Sequence, residues 1–302
     1  MKKNIIKKSK MKKSAADITF IIVNTIILAV LCIVTLYPIL NTLAISFNDG
    51  MDAIKGGIYL LPRKFTLQNF YTVFKMDNLT TAVKISVART VIATIFQMLV
   101  TAMLAYTVSR KDFIFKNQIS LFYVLTMYVS GGLVPGFLLL KGLALTNTFA
   151  VYIIPGAVSA FNMIVIRTYM NGLPDSFVES AQMDGAGHFK IFLRIILPLC
   201  KPVLATVALF IAVNQWNSWF DAMLYNQNRP DLTTMQYELM KLLTSVSQQS
   251  GSASTMKNAA NQVTPISIRS ATTIITAFPI VCLYPFLQRY FVAGLTIGGV
   301  KE

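Results

Sequence analysis

The sequence predicts an all-α integral membrane protein with six transmembrane helices, and three observations carry that prediction. Hydrophobic residues make up 55% of the 302-residue chain and charged residues 13%, about half the share of roughly 25% usual in soluble domains. The mean hydropathy is +0.59, so the chain carries more apolar surface than a water-soluble interior of this length can hide. Six charge-free stretches meet or approach the ~20 residues that a helix needs to cross a bilayer core.

Those stretches are residues 18–48, 90–109, 117–140, 142–166, 202–220 and 270–288. The first follows a lysine cluster, as a signal peptide would. It is too long for an h-region and lacks a small-x-small cleavage site, so it reads as a retained helix. The third is interrupted by Gly131, Gly132, Pro135 and Gly136. Such breaks are tolerated in a membrane where backbone lines a cavity or is buried in protein. The fifth is approached through Pro198 and Pro202 and ends in Asn214, Gln215, Trp216, Asn217, Trp219, Phe220 and Asp221. Amides can hydrogen-bond hydroxyl groups of a ligand while indole faces cover its apolar faces, mixing polar and aromatic contacts as small-ligand sites do. Trp also collects at membrane interfaces and amides also bind helices together. Both readings stand at this point.

Basic residues set the orientation. Lys2, Lys3, Lys7, Lys8, Lys10, Lys12 and Lys13 precede the first helix, as a cytoplasmic anchor facing anionic lipid does. With that end inside, Arg110, Lys111, Lys116, Arg167, Lys190, Arg194, Lys201, Arg289 and Lys301 fall on the same side. The longer segments opposite carry fewer: Lys55, Arg63, Lys64, Lys75, Lys141, Arg229, Lys241 and Lys257. Both termini are therefore expected in the cytoplasm. Lys84, Arg89 and Arg269 are expected near outer helix ends, their long side chains reaching water. The outer segment 49–81, with Pro62 and the aromatic run 65–74, should form short interfacial helices. The outer segment 226–264 ends in a Ser/Gln/Asn-rich stretch, 245–264, expected to be mobile. The chain divides into a basic tail 1–17, a six-helix domain 18–292 containing a cytoplasmic loop 171–201, and a tail 293–302.

Several functions are disfavoured. The formal charge of +15 would suit nucleic acid, but the basic residues sit beside apolar runs, where lipid is the natural partner. Cys32, Cys200 and Cys282 lie far apart in or beside apolar segments and His188 is the single histidine, so no metal-ligand spacing exists and the cysteines read as small packing residues. Of the 12 acids only Asp221 approaches a span, which argues against an ion-coupled carrier with an intramembrane carboxylate. There is no G-x-x-x-x-G-K-[ST] loop, no G-x-S-x-G elbow and no second histidine, which argues against a membrane enzyme.

The longest inner loop, residues 171–202, reads as a short helix, a glycine break and a second helix. Ser176 and Glu179 have the spacing of a capping box, which would start the helix near Phe177. Gly185 and Gly187 permit the turn that ends it, and Phe177, Val178, Ala181 and Met183 leave it one small apolar face. A helix this short needs a partner surface, either its own bundle or another chain.

Here the sequence resembles the EAA motif of binding-protein-dependent ABC import permeases: E-A-A, three residues, G, nine residues, I-x-L-P. The chain reads Glu179-Ser180-Ala181, then Gly185, then Ile195-Ile196-Leu197-Pro198, with both gaps kept. Ser180 in place of the middle alanine is the one departure. Pro62 with Phe65-Thr66-Leu67-Gln68-Asn69-Phe70, Gly131-Gly132-Leu133-Val134-Pro135, Gln215-Trp216-Asn217-Ser218-Trp219-Phe220 and Tyr284-Pro285-Phe286-Leu287-Gln288-Arg289-Tyr290-Phe291 resemble the carbohydrate branch, in particular MalG-like permeases of the LplC/YtcP type. The resemblance implies a MetI-like permease fold, transport of a sugar or oligosaccharide, and a bacterial cell membrane. It implies docking of a nucleotide-binding ATPase by the loop, with Ser176, Glu179, Ala181, Asp184, Gly185 and Ala186 as the docking element. Implied partners are a second homologous permease, two ATPase subunits holding ATP and Mg2+, and an extracytoplasmic solute-binding lipoprotein. No cofactor, metal or nucleic acid is expected on this chain. The weaker substrate-path set is Gly131, Gly132, Pro135, Asn214, Gln215, Trp216, Asn217 and Trp219. A permease for a non-sugar solute and an ion-coupled carrier remain as alternatives.

Overall fold

The computed structural model describes residues 14–75, 77–249 and 263–297. The seven tail lysines, most of the 245–264 stretch and the end of the 293–302 tail lie outside them. The regular structure among the described residues is helical apart from one isolated bridge between Asn48 and Phe65, with turns and irregular segments between the helices. Three helices are long and apolar enough to cross a bilayer: α1 (Ala15–Ser46), α4 (Asp77–Ser109) and α14 (Pro265–Ile297). The helices His188–Leu199 and Lys201–Asn217 have that length and apolarity only as a pair, and the pair is bent by 85°.

α1 begins at Ser14, whose backbone N–H donates to Asp17 at 3.0 Å, so it starts ahead of the apolar stretch. The rest of the chain covers none of its most apolar stretch, and burial begins only at Ala44 and Ser46. Two short helices follow, α2 (Gly50–Ile54) and α3 (Gln68–Phe74), as the aromatic run suggested. α4 starts at Asp77 rather than residue 90, because Lys84 and Arg89 lie inside the helix and broke the charge-free stretch that marked it. Ala82, Ala93, Ala102 and Ala105 are almost completely buried along α4. Small residues let neighbouring membrane helices approach closely.

The third apolar stretch holds two helices, α5 (Lys116–Tyr128) and α6 (Leu133–Gly142). Gly132, at φ 90° and ψ 166°, holds a conformation open to glycine alone. The stretch 142–166 is not the continuous helix expected. It comprises a turn, a 3-10 segment Phe149–Tyr152, an irregular stretch through Pro155 and Gly156, and then α7 (Ala160–Asn171). Irregular backbone in a membrane needs polar partners, and α4 supplies them. Gln97 Nε2 donates to the Ile153 carbonyl at 3.2 Å and Thr101 Oγ1 to the Ala157 carbonyl at 3.4 Å. A Cβ on Gly156 would stand 2.6 Å from Gln97 Nε2, so glycine permits this close approach.

The chain then forms α8 (Ser176–Met183), α9 (His188–Ile191), a π turn Phe192–Ile196, α10 (Leu197–Leu199) and α11 (Lys201–Asn217). α12 (Phe220–Tyr225) and α13 (Met235–Gln249) complete the path to α14. The largest core joins α4, α7 and α11 to the loop through Tyr106, Met163, Ile166, Met170, Ile191, Phe192, Ile196 and Val207.

At the other end, α1 is tied to α3 by buried amides. Asn69 Nδ2 donates to the carbonyls of Ser46 and Asn48 at 2.9 and 2.8 Å, satisfying the end of α1. Asn48 Nδ2 donates to Asp52 at 3.0 Å, and its Oδ1 accepts the Lys64 N–H at 2.8 Å. Asn69→Leu should strand these carbonyls and destabilise the protein by about 1–3 kcal/mol. Thermal unfolding in detergent checks this, and an unchanged midpoint would refute the assignment.

Candidate functional site

The loop at the α8 end is built on a helix-ending motif. The Ala186 N–H donates to the Ala181 carbonyl at 2.9 Å and the Gly185 N–H to the Gln182 carbonyl at 2.9 Å. Gly185 stands at φ 74°. This is a Schellman arrangement, in which glycine takes the left-handed position and the flanking apolar residues touch. Ala181 is buried and Ala186 half-buried on the same core. The spacing from Ala181 through Gly185 to Ala186 is thus the spacing of one helix terminator. Gly187, at φ −71°, needs no special freedom and begins α9.

Two sequence expectations for this loop need correction. The capping box does not form. α8 starts at Ser176 with Asp175 as its N-cap in a helical conformation and no side-chain cap bond, because the Asp175 carboxylate instead pairs with Lys111 at 2.5 Å. The apolar residues do not share one face: Val178 and Ala181 are buried in the chain's own core, whereas Phe177 is 44% and Met183 89% exposed. Ala181 is buried and Ala186 half-buried, and both help seat the helix on this core. Ser176, Glu179, Asp184 and Gly185 remain exposed.

Lys111 holds the Asp175 carboxyl below its ordinary value through a hydrogen bond, and Asp175 raises Lys111 in turn. The pair's contribution is therefore complete in the neutral range. It fades as pH falls through the lowered Asp175 value or rises through the raised Lys111 value. Both side chains are well exposed, so the bond orients α8 more than it stabilises it.

Beyond α8 the chain passes the π turn, where the Leu197 N–H reaches back to the Phe192 carbonyl. Pro198 carries no N–H for the Arg194 carbonyl, which is one cause of such a register shift. The turn at Cys200 then sends α11 off at 85°.

α4, α11, the start of α12 and α14 border an open cavity of about 800 Å3, within the range of about 300–1,000 Å3 seen for small-ligand sites. Asn214, Trp216, Asn217 and Trp219 all line it, together with Thr90, Ser218, Phe220 and Tyr284. The Thr90 hydroxyl is buried without a hydrogen-bond partner. Trp216 offers only its ring, because Nε1 donates to the Thr276 carbonyl of α14 at 2.9 Å. Gln215 and the break at Gly131, Gly132 and Pro135 are not among the lining residues. Gln215 points instead at Arg89, and the glycines lie exposed on the surface.

Arg89 is the residue that sequence reasoning misplaced. It is 1% exposed rather than reaching water. Nε and Nη2 donate to Gln215 Oε1 at 3.1 and 2.8 Å, and Nη1 donates to the Ser218 carbonyl at 3.3 Å. Nη1 also reaches Asp221 Oδ1 at 3.1 Å and Nη2 bonds Asp221 Oδ2. The guanidinium lies 4.3 Å from the centre of the Tyr152 ring. One side chain thus grips both sides of the helix break between α11 and α12. The signal was present: the single acid close to a span and an arginine within an apolar helix are natural partners.

The fold and loop define an inner-membrane transport component. The chain belongs to the family of binding-protein-dependent transport system inner membrane components, whose model matches residues 97–297. It is similar to the polygalacturonan/rhamnogalacturonan transport system permease protein YtcP of Bacillus subtilis (strain 168), 32% identical over 273 residues, covering 90% of this chain and 94% of the relative. It is 33% identical over 293 residues to Protein LplC of the same organism, covering 96% and 98%. A crystal structure of a bacterial ABC transporter involved in import of the acidic polysaccharide alginate contains a chain matching with a TM-score of 0.81 at 27% identity, covering 93% of this chain and 99% of that one. The fold is the MetI-like permease fold, and such a permease is not itself an enzyme, the ATPase being a separate subunit.

Removing one partner of a buried ion pair costs about 3–5 kcal/mol. Arg89→Met and Asp221→Leu should each destabilise the protein by that order. The double variant should recover part of the loss, with a coupling of about 0.5–3 kcal/mol. Unfolding of the four proteins in micelles measures it; strictly additive losses would contradict the clasp.

Proposed function

We propose that this chain is the permease subunit of an ATP-driven importer that passes a sugar or oligosaccharide across the bacterial cell membrane. The observation that carries the reading is the exposed, glycine-terminated helix α8. Its inner face is locked to the α4–α7–α11 core while Phe177, Glu179, Met183 and Asp184 project outward. In this reading α8 docks a separate nucleotide-binding subunit, which holds ATP and Mg2+. Closure of two such subunits then rocks two permeases between inward- and outward-facing states. The positive-inside distribution puts both termini and α8 in the cytoplasm.

Saccharide cargo is supported by the names of the relatives and by the cavity wall. Asn214 and Asn217 offer amides there beside the rings of Trp219, Phe220 and Tyr284. A second permease fits the uncovered face of α1. A solute-binding protein would rest on the outward segments 49–81 and 226–264. Asp221 is neutralised by Arg89, which leaves it unsuited to shuttling ions in a secondary carrier.

The experiment is Gly185→Val. A Cβ there meets nothing within 4 Å, so the cost is conformational, about 1–2 kcal/mol for a left-handed residue. The chain should still insert, while ATP-dependent uptake in proteoliposomes containing the whole transporter is abolished. Normal uptake by this variant, or uptake that persists without ATP under an ion gradient, would overturn the assignment.

A further inference from the structure

The loop between α2 and α3 is more elaborately built than a connection requires. Gly56 and Gly57 both take left-handed conformations, at φ 71° and 72°, and turn the chain back toward α1. Arg63 closes the loop: Nη2 donates to the Gly56 and Asp52 carbonyls at 2.7 and 3.1 Å, and Nε to Asp52 Oδ2 at 3.0 Å. On the descending limb, Asn41 Nδ2 donates to the Ile58 and Tyr59 carbonyls at 2.7 and 3.0 Å. Asn41 lies five residues before the end of α1, roughly 7 Å down its axis at about 1.5 Å per residue. The loop therefore dips alongside a membrane helix below that helix's own end.

Irregular backbone at such a depth needs its carbonyls met, and Asn41 meets two of them. The tip then presents Tyr59, Leu60 and Leu61, which are 66%, 57% and 79% exposed. These three continue the apolar surface of α1, where Ile39 and Leu40 are also exposed. Lys55 and Lys64 flank the tip and are exposed. Apolar side chains with an aromatic residue and flanking lysines form the composition that settles at a lipid interface.

We propose that the loop 55–63 is a membrane anchor that inserts Tyr59, Leu60 and Leu61 into the lipid leaflet at the α2–α3 end, with Lys55 and Lys64 on anionic headgroups. The insertion requires only that the helices cross a bilayer; the proposed orientation decides that this leaflet is the outer one. The anchor fixes the end of α1, and α2 and α3 remain for the solute-binding protein.

The test uses the assembled transporter in vesicles of phosphatidylglycerol and phosphatidylcholine, with Cys32→Ser, Cys200→Ala and Cys282→Ser. A nitroxide is attached at Leu61→Cys or, should that variant fail to assemble, at Leu60→Cys; Gln227→Cys, exposed beyond α12, is the reference. Collisions with oxygen should dominate at the loop and collisions with a water-soluble nickel chelate at Gln227→Cys. The oxygen-to-nickel ratio should be several-fold higher at the loop. Nickel-dominated collisions at the loop would put its tip in water and overturn the proposal. Protection from both reagents would mean cover by the second permease or the binding protein, and would overturn it equally. Lys55→Gln/Lys64→Gln, or vesicles of phosphatidylcholine alone, should make the insertion shallower, and unchanged depth would refute the headgroup contact.

Discussion

The guanidinium of Arg89 is the constraint on which the cavity depends. Taking an ion out of water costs several kcal/mol even after the protein relaxes, so a buried arginine persists only where its N–H groups find acceptors. Here Gln215, Ser218 and Asp221 supply them, and the three belong to the end of α11, the break and the start of α12. A lysine would deliver the charge but not the planar fork that fits several acceptors at once. From the other side Trp216 is bonded to α14. The break at residues 218–219 is thus held from both α4 and α14. Asn217 and Trp219 owe their place on the cavity wall in part to Arg89, Gln215 and Asp221, which do not line it.

The same logic recurs wherever the backbone leaves helical geometry. A bilayer offers no water to satisfy freed carbonyls, and polar side chains of long helices take that part. Gln97 and Thr101 of α4 meet the irregular stretch before α7, Asn41 of α1 meets the dipping loop, and Asn69 of α3 meets the end of α1. Gln97, Thr101 and Asn41 are polar residues set in the apolar stretches of long helices, whereas Asn69 lies on the short α3. In a soluble protein such residues would be spread over the surface; here they mark the positions where a neighbouring chain segment unwinds.

That pattern explains how much was legible in advance. The helical class, the long apolar helices, the short helices of 49–81 and the glycine-ended loop helix were readable because they rest on composition, length and local turn chemistry. The stretch 142–166 was misread as one helix because hydropathy does not register a break whose partners, Gln97 and Thr101, sit on another helix. The start of α4 was displaced because charge was taken as the end of a span, whereas Lys84 is exposed and Arg89 is paired across 132 residues of sequence. The capping box failed because α8 begins one residue earlier than expected: Ser176 lies within the helix, and Asp175 at its N-cap pairs with Lys111 from a different loop. Spacing reports what a segment can do alone, and in each of these places a distant side chain decided otherwise.

The loop shows why local and distant constraints must act together. A helix of eight residues has almost no independent stability, so α8 can transmit a push only if its inner face is fixed. Val178 and Ala181 fix it against the core that contains Met170, Ile191 and Ile196, and the Schellman turn at Gly185 binds α8 to α9. From α9 the helical path runs through the π turn to α11, whose far end carries the cavity wall. On the proposed docking, a displacement at Phe177 and Met183 would reach Asn217 along this path, across the turn at 184–187 and the bend at Cys200. The short apolar residues of the motif set the stiffness of that path, and its exposed residues are left free to meet whatever moves it.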